Sequence, residues 1–203
     1  MGTEIPGSHP LTESGWALDE LLRGNKRFLS NKCTSYLENE ERRKATLTKQ
    51  IPFAAILCCS DSQVAPEIIF DQSVGSIFVV RTAGNVLDDV ALGSIEYAAQ
   101  DLQIFLVMVL GHQRCGAVTA TVQGKQVTGR IKRIVEKIEP AARKSKGMTG
   151  DPVANAVDAN IRSVVCELRS CEPILAPMIK HGSIGIVGAR YDLDTGKVVT
   201  IDT

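Results

Sequence analysis

Three short, mostly apolar segments, at residues 53–58, 76–80 and 104–110, restrict most strongly how this chain can fold. Segments of this length, bounded by turn-forming residues, are typical of parallel strands that are buried on both faces. Helical spacing is found at residues 88–102, 115–124, 130–144, 153–169 and 174–180, and two further strands are predicted at 184–187 and 198–201. Strands that alternate with helices predict a single α/β domain, with a central, mostly parallel β-sheet flanked by helices.

The N-terminal part of the chain is predicted to form a helical arm on this domain. Thr12 or Ser14 can cap a helix that continues to Phe28, with apolar residues at helical spacing on one face. A second, highly charged helix is predicted at residues 36–46, and the polar residues 1–11 are predicted to be a flexible N-terminal arm. We therefore expect one domain at residues 12–203, of which residues 12–50 form the helical arm.

The charge balance and the lack of long apolar runs narrow the classes of function. The chain has 203 residues, with 23 basic and 23 acidic side chains, so it has no positive excess for nucleic acid or anionic lipid. No apolar run reaches the ~18–20 residues that span a bilayer, and the polar N-terminus is unlike a signal peptide. We expect a cytoplasmic protein without nucleic-acid or membrane partners, whose six cysteines are metal ligands or buried side chains.

Cys59, His112 and Cys115 are the candidate metal ligands. Cys59 and His112 each follow a predicted buried strand, and open α/β sheets bind ligands at the carboxyl ends of their strands. Cys115 lies where a helix is predicted to begin, which favours the thiolate, whereas Cys58 should point to the opposite face of the sheet. Two thiolates and an imidazole suit zinc and leave a fourth tetrahedral position open for chemistry. The alternative interpretation is a structural cluster of buried cysteines and a core histidine.

Several segments of the sequence resemble those of a known family. They are 59–61 (CSD), 66–70 (PEIIF), Arg81 with 83–85 (AGN), 93–97 (GSIEY), 111–112 (GH) with 115–117 (CGA), 187–192 (VGARYD) and 195–198 (TGKV). In these segments the chain resembles the β-class carbonic anhydrases. The resemblance implies a zinc lyase that reversibly hydrates carbon dioxide to bicarbonate, with Cys59, His112 and Cys115 as ligands of Zn²⁺.

The same resemblance implies an assembly and a substrate site. The protein is expected to be a homo-oligomer, a homodimer or homotetramer, in which residues 12–50 pack on a partner subunit near the metal site. Val64, Phe78 and Val86 are candidates for an apolar carbon dioxide pocket, with core packing as the alternative, and Gly116 is a candidate for the backbone near the substrate.

Asp61 and Gln63 are the candidate catalytic residues. Two thiolates cancel the formal charge of zinc, so water is acidified less readily than at carbonic anhydrase sites with three neutral histidines. The Asp61 carboxylate can accept a hydrogen bond from zinc-bound water, or it can become the fourth ligand and exclude the water. In the family that the chain resembles, an arginine at the position of Gln63 holds this aspartate off the metal through a charge-assisted bond. Because Gln63 carries no charge, we expect activity that is reduced or shifted to alkaline pH.

Two other functions stay open at this point. The same scaffold can hydrolyse carbonyl sulfide or carbon disulfide, which are linear like carbon dioxide. Gln63 also leaves open a catalytically silent zinc-binding homologue with a binding or regulatory role. Ser76, where the family commonly has an acidic residue, is either the lost partner of the missing arginine or an ordinary residue at the start of a strand.

Overall fold

The computed structural model describes residues 12–34 and 39–202. Its five-stranded sheet has the order β2-β1-β3-β4-β5. The strands are β1 (Ala54–Cys59), β2 (Ile77–Thr82), β3 (Leu106–His112), β4 (Gly185–Tyr191) and β5 (Val198–Ile201). All neighbouring strands are parallel except β4 and β5, which are antiparallel. The predicted α/β domain with a mostly parallel sheet is therefore confirmed.

Helices cover both faces of the sheet. One face carries α1 (Glu13–Leu29) and α3 (Pro66–Ile69), and α2 (Asn39–Ala45) lies near the start of β2. The other face carries α4 (Asp89–Gln100), α5 (Gly116–Val122), α6 (Ile131–Lys144), α7 (Pro152–Arg169) and α8 (Leu175–Lys180). Thr12, Asp88 and Asp151 cap α1, α4 and α7, because each side chain accepts a hydrogen bond from a main-chain N–H of the first turn.

The N-terminal helix packs on the sheet of its own chain. Ala17 and Leu21 of α1 are fully buried in the core on that face. Packing of residues 12–50 on a partner subunit stays a prediction. The predicted flexible arm at residues 1–11 lies outside the described residues, as does part of the helix predicted at 36–46, of which α2 covers 39–45.

The sheet separates two cores, and alternation along β1 divides its side chains between them. Leu57 and Cys59 pack on the side of α4 to α7, whereas Ile56 and Cys58 pack on the side of α1. Burial of a leucine-sized side chain stabilises a fold by about 1.5–3 kcal/mol, so these two cores fix the register of β1. Cys58 and Cys59 therefore face opposite sides of the sheet, as predicted.

Strands β1 and β3 are each longer at the carboxyl end than their apolar runs. Cys59 and His112 are the last residues of these strands, whereas the sequence placed them just after the strands. The reason is that main-chain hydrogen bonds continue past the apolar side chains: Ser60 N–H donates to Thr82 at 3.1 Å, and Gln113 N–H to Tyr191 at 3.1 Å. Strand β4 likewise extends beyond its predicted end.

The order of the strands places the candidate ligands together. The chain passes from β1 to β2 and then returns across β1 to β3, so the winding direction reverses between β1 and β3. Cys58 pairs with Leu110 in this register, and so Cys59 and His112 end side by side. Such a switch point forms the crevice in which open α/β sheets bind ligands. Within the described residues, no helix is both long and apolar enough to cross a membrane.

Candidate metal centre

Cys59, His112 and Cys115 converge at the carboxyl ends of β1 and β3. Their ligand atoms all lie within 4.8 Å of one another, and all three side chains are buried. The two sulfur atoms are 3.9 Å apart. Two thiolates bound to one tetrahedral zinc ion at ~2.3 Å would be roughly 3.8 Å apart, so the sulfur spacing fits zinc.

The hydrogen bonding of His112 defines which ring nitrogen can bind a metal. Nδ1 lies 2.9 Å from the main-chain oxygen of Gln113, and because a carbonyl only accepts, Nδ1 carries the proton. Nε2 then has a free lone pair. It is buried and has no hydrogen-bond partner among the residues that the structure describes. An unsatisfied buried nitrogen costs about 1–3 kcal/mol, and a metal ion between the sulfurs and Nε2 would remove that cost.

The Cys59 sulfur is surrounded by donors. Gly84 N–H and Asp61 N–H donate to it at 3.2 Å and 3.4 Å. The hydrogen bond with Cys115 lowers the pKa of Cys59, helped by these main-chain donors and opposed by burial, whereas the same bond and burial raise the pKa of Cys115. One negative charge is thus favoured on the sulfur pair, and a second thiolate requires a cation beside it.

Hydrogen bonds from Arg81 and Gln63 hold the chain around Asp61. Arg81 uses its side chain, and Gln63 uses its main-chain N–H. The Arg81 guanidinium donates to the main-chain oxygens of Asp61 at 2.6 Å and Cys59 at 3.2 Å. The Asp61 carboxylate accepts the main-chain N–H of Gln63 at 2.9 Å, and its other oxygen lies 3.9 Å from His112 Nε2. The carboxylate therefore faces the nitrogen that would bind the metal.

Gly84 occupies a tight turn after β2 that no larger residue fits. Its φ is +72°, and a Cβ there would lie 2.7 Å from Ile138 and 3.1 Å from Ala117. The carbonyl of Gly84 accepts a hydrogen bond from the buried Asn160 side chain of α7 at 2.9 Å. Nothing in the sequence singles out Asn160, which occupies one position of an amphipathic helix and matches no motif.

The segment between His112 and Cys115 is held by the turn between β4 and β5. Gln113 donates to the Asp192 carboxylate at 2.7 Å and accepts the Leu193 N–H at 3.2 Å. Arg114 has a φ of +54°, and its guanidinium makes two hydrogen bonds with Asp194, at 2.8 Å and 2.9 Å. This reversal returns the chain so that Cys115, the N-cap of α5, lies beside Cys59. These contacts were not predictable from the sequence, because nothing local links residue 113 to residue 192.

The candidate substrate residues are divided by the sheet. Val64 packs in the core on the α1 side, away from the Cys59 side chain. Phe78 is the second residue of β2 and pairs with Ala55, far from the carboxyl end. Val86 lies in the core that contains both cysteines, and Gly116 follows Cys115 directly. Val86 therefore shares a core with the two cysteines and Gly116 adjoins Cys115, whereas Val64 lies in the other core and Phe78 lies near the opposite end of its strand.

The two departures from the family pattern lie at opposite ends of the strands. Ser76 precedes β2 at the amino end of the sheet, where its hydroxyl accepts a hydrogen bond from Arg42 at 3.0 Å. Gln63 follows β1 at the carboxyl end, and a strand of this length extends about 20 Å. Ser76 is therefore not a lost partner of position 63 within one chain.

Comparisons with known proteins define the class. A sequence profile of the carbonic anhydrase family matches residues 54–198, and the chain belongs to that family. It is 36% identical over 202 residues to "Carbonic anhydrase 2" of Mycobacterium tuberculosis, covering 98% of this chain and 96% of the relative. It is also 36% identical over 198 residues to a carbonic anhydrase of Mycolicibacterium smegmatis, covering 96% and 94%.

A solved structure with the same fold identifies the class more closely. The β-carbonic anhydrase CcaA is 25% identical, has a TM-score of 0.71, and is matched over 91% of this chain and 95% of its own. The structure of a β-carbonic anhydrase from Coccomyxa has a TM-score of 0.72 at 24% identity. The resemblance to the β class is confirmed.

Proposed function

We propose that this chain is a zinc lyase that catalyses the reversible hydration of carbon dioxide to bicarbonate. One observation carries the proposal: in a chain of this family, two buried sulfurs and the unpartnered Nε2 of His112 converge at the switch point of the sheet. Bound there, Zn²⁺ supplies Lewis-acid activation of water near neutral pH. Cys59, His112 and Cys115 would hold the ion.

Asp61 is the residue that we assign to the fourth position. Its carboxylate is 3.9 Å from His112 Nε2, so it could either bind the metal or accept a hydrogen bond beside it. As an acceptor it orients the attacking oxygen; as a ligand it blocks the position. The balance between these two states sets the activity.

Gln63 shifts that balance because it lacks the positive charge of an arginine. Its bond to Asp61 uses the main-chain N–H, which any residue except proline supplies. Its side chain is exposed and makes no hydrogen bond with the described residues. Arginine would add a charge-assisted bond, stronger than a neutral one by about 1 kcal/mol. We therefore infer that Asp61 occupies the metal more often, and that activity is low or shifted to alkaline pH.

The test is stopped-flow hydration of carbon dioxide from about pH 6.5 to 9, with zinc content measured, for the native chain and Gln63→Arg. We expect the substitution to raise kcat/KM near neutral pH by roughly 5–10-fold and to move the onset of activity to lower pH. Gln126→Arg adds the same charge on an exposed loop between α5 and α6 and should change neither.

Each outcome separates the hypotheses. Identical pH profiles for the native chain and Gln63→Arg would refute the role of Gln63 and leave the enzymatic assignment intact. Zinc-loaded protein without turnover in either form would refute the assignment. Turnover restored only by the arginine would support the second candidate, a silent zinc-binding homologue, which the glutamine favours.

We also propose that the protein assembles as a homodimer or homotetramer. Strand β2 is an edge of the sheet, and the nearby α4 exposes Val90 and Tyr97. An open strand edge beside exposed apolar side chains favours association with a second copy.

A further inference from the structure

Asn160 is a buried polar residue on the apolar face of the amphipathic helix α7. Its side chain is 2% exposed, and its helix neighbours Val157, Ile161 and Val164 belong to the core that contains both cysteines. Burying an amide in such surroundings is unfavourable unless the amide is hydrogen-bonded. Packing therefore does not explain why an asparagine occupies this position. The explanation must lie in the hydrogen-bond partner of its side chain.

The partner of Asn160 is the turn that contacts the metal centre. Asn160 Nδ2 donates to the main-chain oxygen of Gly84 at 2.9 Å, across 76 residues of sequence. The N–H of the same glycine donates to Cys59 Sγ at 3.2 Å. Both bonds involve one residue, so the orientation that Asn160 imposes on the Gly84 carbonyl also limits the direction of its N–H.

The turn at Gly84 needs such support because of its next residue. Glycine adopts the φ of Gly84, +72°, freely, but Asn85, with a φ of +45°, lies in the left-handed region that other residues rarely adopt. Such residues persist where the surroundings fix them. Asn160 supplies a directional contact on the helix side of the turn.

We propose that Asn160 is a positioning residue of the metal centre, whose amide holds the Gly84 turn so that Gly84 N–H stays directed at Cys59 Sγ. The inference rests on the proposed zinc site. A hydrogen bond to a ligating sulfur orients the ligand and offsets part of its negative charge. Partners of this kind typically account for about 10–100-fold in metal affinity.

The test compares two asparagines of one helix. Asn160→Leu removes the amide at similar volume. Asn155→Leu removes the amide of a half-buried residue, whose solvent-exposed bond to Thr149, at 3.0 Å, does not involve the turn. Zinc affinity is measured by competition with a chromophoric chelator. We expect a loss of about 10–100-fold for Asn160→Leu and less than about twofold for Asn155→Leu.

A spectroscopic measurement separates positioning from general destabilisation. In protein loaded with Co²⁺, the sulfur-to-cobalt charge-transfer band should move to lower energy in Asn160→Leu, because the thiolate loses a hydrogen bond. Asn155→Leu should leave the band unchanged. If Asn160→Leu does not fold, the native chain supplies an independent measurement. In the native chain with spin-active cadmium, the Gly84 amide proton should couple to the metal through the N–H···S bond.

The results distinguish this inference from the proposed function. A folded Asn160→Leu with native zinc affinity and an unshifted cobalt band would overturn the positioning role, as would a Gly84 proton that shows no coupling to cadmium. Native protein that binds zinc without hydrating carbon dioxide would overturn the activity alone, because affinity and band position do not require turnover. Native protein without stoichiometric metal would overturn both.

Discussion

The two loops that bring the candidate metal ligands together are stabilised in different ways. The β1 loop (residues 60–65) is held by groups from distant elements: Arg81 of β2 binds its main chain, and Gly84, itself bound by Asn160, contacts Cys59 at its start. The β3 loop (residues 113–115) is held by side chains of a surface turn, through the bonds of Gln113 to Asp192 and of Arg114 to Asp194.

This difference predicts where the centre is sensitive to substitution. Near Cys59, the supporting amide and turn are buried, and removing one partner leaves another buried group unsatisfied, at about 1–3 kcal/mol. Near His112, the supporting ion pair is exposed, and water screens it and replaces its hydrogen bonds. Substitutions that remove the buried support near Cys59 should therefore disturb the candidate site. Substitutions that remove the exposed ion pair near His112 should be tolerated, because water can replace its hydrogen bonds.

The largest expected effect comes from a candidate ligand itself. Structural zinc sites bind with about 10–16 kcal/mol through four protein ligands, so an equal share is roughly 2.5–4 kcal/mol. Cys59→Ala should therefore lower zinc affinity by about a hundredfold to a thousandfold and abolish carbon dioxide hydration. Metal analysis after dialysis against a weak chelator measures the loss.

The neighbouring cysteine provides the control. Cys58 is buried in the opposite core, and burial raises the pKa of its thiol to about 12, so it stays a neutral packing group. Cys58→Ala should retain one zinc per chain with some loss of stability. Zinc retained by Cys59→Ala and lost by Cys58→Ala would contradict the assignment of the two faces of β1.

The next effect tests the buried support of the β1 loop. Gly84→Ala forces a Cβ to within 2.7 Å of Ile138 at a positive φ, so crowding adds to backbone strain. We expect a loss of about 2–4 kcal/mol in the free energy of unfolding, measured with denaturant, together with weaker zinc binding.

A second glycine isolates the strain from the crowding. Gly124 has a φ of +62°, and among the described residues nothing lies within 4 Å of its added Cβ. Gly124→Ala should cost about 1 kcal/mol and leave zinc affinity unchanged. Equal losses for the two variants would mean that the contact with Ile138 relaxes and that the Gly84 turn is not specially supported.

The sequence predicted that Cys59 and His112 lie close together, because their placement follows from chain periodicity. Apolar runs define β1 and β3, and parallel strands carry the residues at their carboxyl ends to one edge, which brings Cys59 to His112. The exact strand ends were missed, since the ladder of main-chain hydrogen bonds does not depend on side-chain polarity. The bond from Gln113 to Tyr191 continues β3 beyond its apolar run.

The supporting residues were not predictable for a related reason. Helical periodicity indicates that position 160 is buried but does not indicate which carbonyl its amide meets, since that depends on how α7 lies over the turn at Gly84. The candidate pocket residues show the same limit. Val64 is apolar and close to Cys59 in sequence, yet the chain turns after Asp61 and buries it in the other core.

The smallest expected effect concerns the exposed support of the β3 loop. Hydrogen bonds from Thr195 lower the pKa of Asp192, and the hydrogen bond and charge of Arg114 lower the pKa of Asp194. A carboxyl with a lowered pKa in the folded state contributes stability above its unfolded pKa, about 3.9, and loses it as the pH falls through the folded value. The contribution of these two groups to the free energy of unfolding should thus stay constant from neutral pH to about pH 5. It should fall slightly below about pH 4.

The exposed support of the β3 loop can be tested with one substitution, Arg114→Gln, by measuring the pKa of Asp192 and Asp194 with NMR. Arg114→Gln should raise the pKa of Asp194 and leave that of Asp192 low, because Thr195 rather than Arg114 stabilises the Asp192 carboxylate. Zinc affinity should change by less than about twofold, since Gln113 still anchors the loop and solvent replaces the lost ion pair. A loss as large as that expected for Asn160→Leu would show that the exposed turn supports the metal centre as strongly as the buried one.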